Sequence, residues 1–159
     1  MKAAAILLAI AAALSVLASL ASSQQVLKVP SQYQTIQAAI DAAQDRDTVL
    51  VAPGIYAPID FKGKAIAVVS SGGATVTTIR VLSQGSVVRF ASSEGPNSVL
   101  SGFTITGGNG TDERGPPPFY YKMKNGGGIY CKGSSPVIID NIISGNSPVG
   151  VDFAAGGGI

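Results

Sequence analysis

Apolar residues fall at Ile36, Ala39, Ile40 and Ala43, the i, i+3, i+4, i+7 spacing of a single helical face. The spacing predicts a short helix over 35–43, with Ser31 and Gln34 at capping-box separation before it and Asp45-Arg46-Asp47 ending it. Its apolar residues are few and mostly small, so it must lie on an apolar surface to persist. Beyond Asp47 the pattern changes to short β-type runs broken by Ser, Gly, Asn and Pro. These runs predict strands over 48–52, 59–61, 65–69, 77–81, 87–91 and 99–105. Pro53-Gly54 suits the two central positions of a type II turn. Hairpin signals of the Asn-Gly kind are few between these strands, which disfavours a meander. Short strands joined by bends suit stacked coils.

Repetition strengthens that reading. Gly126-Gly127-Gly128-Ile129 recurs thirty residues on as Gly156-Gly157-Gly158-Ile159. Ser135 to Asn146 and Asn97 to Asn109 share one grammar: a polar turn, an apolar pair, a small or polar corner, an apolar strand, and a Gly/Asn exit. Such a period with such content predicts a solenoid. Within it Ile142 is expected to face the core, and Asn141 to bond the backbone of neighbouring coils as one rung of a ladder.

Composition adds a compartment. Lys2, the apolar and small run Ala3 to Leu20, and the small residues Ala21-Ser22-Ser23 have the layout of a secretory signal peptide. Residues 1–23 are therefore expected to be removed and 24–159 to form one domain, secreted or at the cell surface. The alternative is a retained membrane anchor, the chain's one expected route to a membrane. The formal charge is +2, or +1 without Lys2, with no basic stripe, so nucleic acid is not an expected partner. Cys131 is the one cysteine, which excludes an internal disulfide. Its place after Ile129 and Tyr130 predicts a buried, inert thiol.

Tyr33 to Ala43, followed by Asp47 to Tyr56, resembles the N-terminal cap and first coil of pectin-lyase-like β-helix proteins; pectin methylesterases begin similarly. Ser98 to Gly108 and Gly126 to Cys131 resemble the repeats of bacterial secreted and surface β-helix proteins. The resemblance covers about residues 30–159 and implies an all-β fold, a right-handed parallel β-helix solenoid with a short N-terminal capping helix. Ile159 reads as the first strand residue of a new coil, so the domain is expected to be truncated at its C-terminal end.

The chemistry is sparse. There is no His, which excludes His-based acid/base catalysis and Ser-His-Asp triads. The acids are scattered; only Asp112 and Glu113 adjoin, and neighbours on a loop do not make the facing pair that glycoside hydrolysis needs. Gly150-Val151-Asp152-Phe153 is one residue short of the Gly-x-x-Asp-Phe signature of pectin methylesterases. No catalytic residue, metal ligand or cofactor is assigned. The distinctive irregularity is 110–125, an insertion between coils. There Asp112, Arg114, Phe119, Tyr120, Tyr121 and Lys122 are the candidate binding residues, with Pro116-Pro117-Pro118 stiffening the loop. Three consecutive aromatics beside charges suit stacking on sugar rings or docking a partner. The alternative is a loop folded back over the core. The expected function is a secreted β-helix module contacting extracellular polysaccharide or a surface protein. The rival readings are the N-terminal part of a polysaccharide lyase or pectin esterase with catalytic coils beyond Ile159, and a passive spacer of a long surface protein.

Overall fold

The computed structural model describes residues 23–115, 117–118, 121–148 and 153–159. The expected signal segment, except Ser23, lies outside them. Among the described residues the chain is all-β with one helix and mostly parallel sheets. In order the elements are β1 (Val26–Val29), α1 (Ile36–Ala42), β2 (Thr48–Val51), β3 (Gly54–Tyr56), β4 (Ile59–Asp60), β5 (Ala67–Ser70), β6 (Thr77–Arg80) and β7 (Val88–Phe90). There follow β8 (Val99–Ser101), β9 (Thr104–Thr106), β10 (Thr111–Arg114), β11 (Lys122–Asn125), β12 (Ile129–Cys131), β13 (Val137–Ile139), β14 (Ile142–Ile143) and β15 (Phe153–Ala155).

Three sheets are parallel throughout: β1-β2-β5-β8-β13, β3-β6-β9-β14 and β4-β7-β12. The chain visits them in rotation, so each pass lays one strand beside its predecessor in each sheet. Register then aligns like residues. Leu27, Val49, Val68, Leu100 and Ile138 form one column, and Tyr56, Ile79, Ile105 and Ile143 a second. Ile59, Val88 and Ile129 form a third, beside which the rings of Phe61 and Phe90 meet at 4.3 Å. The columns converge on one core. Stacking buries what a lone pass would expose, so the core grows pass by pass.

The helix starts one residue later than the pattern predicts. Thr35, not Ser31, caps it: its Oγ1 accepts the Ala38 N–H at 3.1 Å. Ile36, Ala39 and Ile40 are buried as the spacing requires, and the helix packs on β1, β2 and β4. Lys64 ends it from another pass: its Nζ donates to the carbonyls of Ile40, Asp41 and Ala43 at 2.7, 2.8 and 2.7 Å. The Ile40 carbonyl also accepts the Ala43 N–H at 3.2 Å, and Lys64 supplies the donors that the last carbonyls of a helix otherwise lack.

The corners explain the glycine and asparagine repeats. The Gly-Gly-Gly-Ile copies lie on one another: Gly127 N–H donates to Gly156 O at 2.8 Å, and Ile129 N–H to Gly158 O at 2.8 Å. Asn141 bonds the preceding pass, accepting the Phe103 N–H at 2.9 Å and donating to Leu100 O at 2.9 Å. Asn146 repeats this on Gly108 N–H and Ile105 O, at 2.9 Å each. Each amide replaces a strand hydrogen bond that a bend would otherwise break.

Three expectations are corrected. The strand expected over 99–105 is two strands, split at Gly102, whose φ of 83° turns the chain. Ile142 is 45% exposed, because its register partner is Thr104 on the outward side, while Ile143 takes the core column. Cys131 is exposed although it sits opposite buried Phe90, because β12 is the edge strand of its sheet.

Candidate functional site

The insertion over 110–125 is a hairpin, the one antiparallel strand pair among the described residues. Thr111, Asp112, Glu113 and Arg114 of β10 face Asn125, Lys124, Met123 and Lys122 of β11. The far edge of β11 pairs in parallel with β15. Alternation then divides the hairpin. Thr111 and Glu113 turn to the body of the fold, where Thr111 meets Ser86 at 2.8 Å. Asp112 and Arg114 are exposed on the other side.

Of the sequence-predicted site residues, Asp112 pairs with Lys124 at 3.5 Å, and Arg114 stands opposite Lys122. Tyr121 is half-buried; its ring meets Phe153 edge-on at 4.9 Å, and its carbonyl accepts the Gly115 N–H at 2.9 Å. Phe153 itself is 58% exposed. Phe119 and Tyr120 lie outside the described residues.

The structure adds residues that sequence reasoning missed. Glu113 reaches from β10 to β12: it accepts from the Tyr130 hydroxyl, from Lys132 Nζ at 2.6 Å and from Asn125 Nδ2 at 3.1 Å. The Lys132 ammonium, then the Tyr130 hydroxyl, hold its carboxyl below the usual carboxylate range, against a smaller opposing effect of burial. Burial, then the Glu113 hydrogen bond, push the Tyr130 phenol up. Tyr130 is therefore a neutral donor at neutral pH and not an activated nucleophile.

Arg89 lies 5.3 Å from the centre of the Tyr130 ring, and its Nε meets Asp60 at 3.3 Å. Register explains the row: Asp60, Arg89 and Tyr130 are direct partners on successive passes, and the residues flanking Asp60 and Arg89 are inward-facing. The signal was available in the alternation of Ile129, Tyr130 and Cys131, which puts Tyr130 outward, but the pairing to Arg89 across a long insertion was not.

Between the hairpin and β12 lies a cleft of about 270 Å³, with Glu113, Asn125, Tyr130 and Lys132 on its polar side and Ile129 and Ile159 on its apolar side. Cys131 also lines it; burial, then Glu94, push its thiol up, so the thiol is exposed yet weakly nucleophilic. Among the described residues, no three Asp, Glu or Cys side chains converge as metal ligands would, and no helix is long and apolar enough to cross a membrane. Comparison with protein-family models, with curated proteins and with solved structures returned no match to this chain.

Proposed function

We propose that the chain is a secreted module built as a right-handed parallel β-helix, and that its hairpin side binds an extracellular polysaccharide. The rotation of the chain through three parallel sheets supports the architecture. The signal-peptide layout of residues 1–23 supports export. The observation that carries the binding reading is the edge-on pair of exposed Phe153 and half-buried Tyr121, with Phe153 on the same sheet as Glu113 and Asn125, which line the polar cleft with Tyr130 and Lys132. Sugar rings have an apolar face and a polar rim; an aromatic edge serves the first, and amide, carboxylate and ammonium groups serve the second. The reading is one of binding, not turnover. Glu113 is already bonded to three partners and Tyr130 is a poor nucleophile.

A glycan array probed with the full chain tests this. The Tyr121→Ala/Phe153→Ala double variant should keep the β-type circular dichroism and lose about tenfold or more in affinity for any glycan captured, in the range expected for two stacking side chains. Undiminished affinity in a folded double variant removes the hairpin from the site. Capture of a surface protein through these two rings, with no glycan bound, replaces the polysaccharide with a protein partner.

A further inference from the structure

A second groove, of about 440 Å³, shares no lining residue with the cleft beside the hairpin. It runs between the corner after β3, which carries Pro58, and the segment after β6, Val81 to Gln84. Two large apolar side chains on its walls are conspicuously exposed, Ile55 at 66% and Leu82 at 83%. Register accounts for this. Thr77 and Ile79 are the buried members of β6, so Thr78 and Arg80 face outward and Leu82 continues the alternation, while Ile55 is the partner of Thr78. A single exposed leucine needs no explanation, but apolar residues gathered in one groove mark a contact surface.

Arg80 is the one charged residue lining the groove. The four ion pairs among the described residues employ other cations, so its guanidinium has no acidic partner. The Tyr56 hydroxyl is engaged by Ala52 O at 2.9 Å, and Ile55, Ala57, Pro58, Val81 and Leu82 make the rest of the walls mostly aliphatic. Ser83 and Gln84 are exposed at the rim and offer hydrogen bonds that a peptide backbone uses and a fatty-acid tail does not.

We propose that this groove docks an extended segment of a partner protein, with an aliphatic side chain seated between Ile55 and Leu82 and a neighbouring carboxylate on Arg80. Aliphatic burial supplies the attraction, and the unpaired cation sets orientation and rejects basic segments. This inference does not depend on the polysaccharide reading, since the two sites are separate.

The test is a peptide array varied in aliphatic and charged positions and probed with the full chain. The best peptide is then titrated by fluorescence anisotropy against the original protein, Arg80→Glu and Leu82→Asp, each checked for an unchanged melting curve. Acidic-aliphatic peptides should be selected, and each substitution should weaken binding about tenfold or more. A peptide with Lys in place of its acid should regain affinity for Arg80→Glu. Selection of basic or wholly polar peptides, unchanged affinity in the variants, or no peptide bound at about 1 mM overturns the proposal. So does binding of decanoate with no peptide selected, or a concentration-dependent dimer abolished by Leu82→Asp, which assigns the groove to a lipid or to a second copy.

Discussion

Ser134 donates its hydroxyl to Glu94 Oε2 at 2.7 Å while its oxygen accepts the Glu94 backbone N–H at 3.2 Å, a reciprocal pair between residues forty apart in sequence. The Glu94 carboxylate, 2% exposed, also accepts the N–H groups of Gly63 and Ser92, at 2.8 Å each. Three passes of the chain thus meet on one buried anion. Burial pushes this carboxyl up, but the donors from Ser92, Gly63 and Ser134 together outweigh it and hold it below its ordinary value. A buried charge persists only where its oxygens are satisfied in this way.

Glu94→Gln keeps the size of the side chain and removes the charge, and its amide NH₂ cannot accept an N–H. Urea unfolding near pH 7 should show a loss of about 2 kcal/mol. The sign of the pH dependence follows from the lowered carboxyl. Its stabilisation is complete above the unfolded value near 4.3 and is lost as pH falls through the folded one. The gap between the original protein and Glu94→Gln should therefore narrow on acidification below about pH 4. A gap constant down to pH 3 would show that the carboxylate charge contributes nothing.

Gly108 tests the stacking of the corners. A Cβ there would sit 1.8 Å from Gly127 O, and one on Gly127 would sit 2.6 Å from Gly157 O. In both cases the obstacle is backbone, which cannot rotate aside. Gly108→Ala should cost about 3 kcal/mol or more, far beyond an ordinary surface change, or prevent soluble expression. Gly133→Ala is the control for loss of a glycine, since a Cβ at Gly133 meets nothing within 4 Å; its φ of 62° leaves conformational strain alone. Equal thermal shifts for the two variants would mean that the passes do not approach as closely as described.

Much of this architecture was legible in the chain because stacking imposes repetition. The Gly-Gly-Gly-Ile copies and the Asn141 corner are direct consequences of one pass lying on the next, and each could be read without coordinates. What local pattern could not supply was which pass pairs with which residue. Tyr130 finds Arg89, and Glu113 finds Tyr130 and Lys132, only after the hairpin between β10 and β11 has been set aside. Asp112 and Arg114 point outward, whereas Glu113 between them turns in to the cleft. Cys131 failed for a related reason: alternation gives the side of a strand, not whether a neighbour covers that strand's edge.

The two isoleucines of β14 separate register from composition. Ile143 is the partner of Ile105 and packs against the core, whereas Ile142 is the partner of Thr104 and stands 45% exposed. Hydrophobicity alone ranks them equally, and a slip of one residue would exchange their roles. Ile142→Asp should melt within about 0.5 kcal/mol of the original protein, as substitutions at unengaged surface positions do. Ile143→Asp sets a carboxylate against Ile105 at the end of its core column and should cost about 3 kcal/mol or unfold the chain. Thermal melts followed by circular dichroism compare the two directly. If Ile142→Asp proves the more damaging, β14 is paired one residue out of register, and the outward face assigned to Ile55, Thr78 and Thr104 must be reassigned with it.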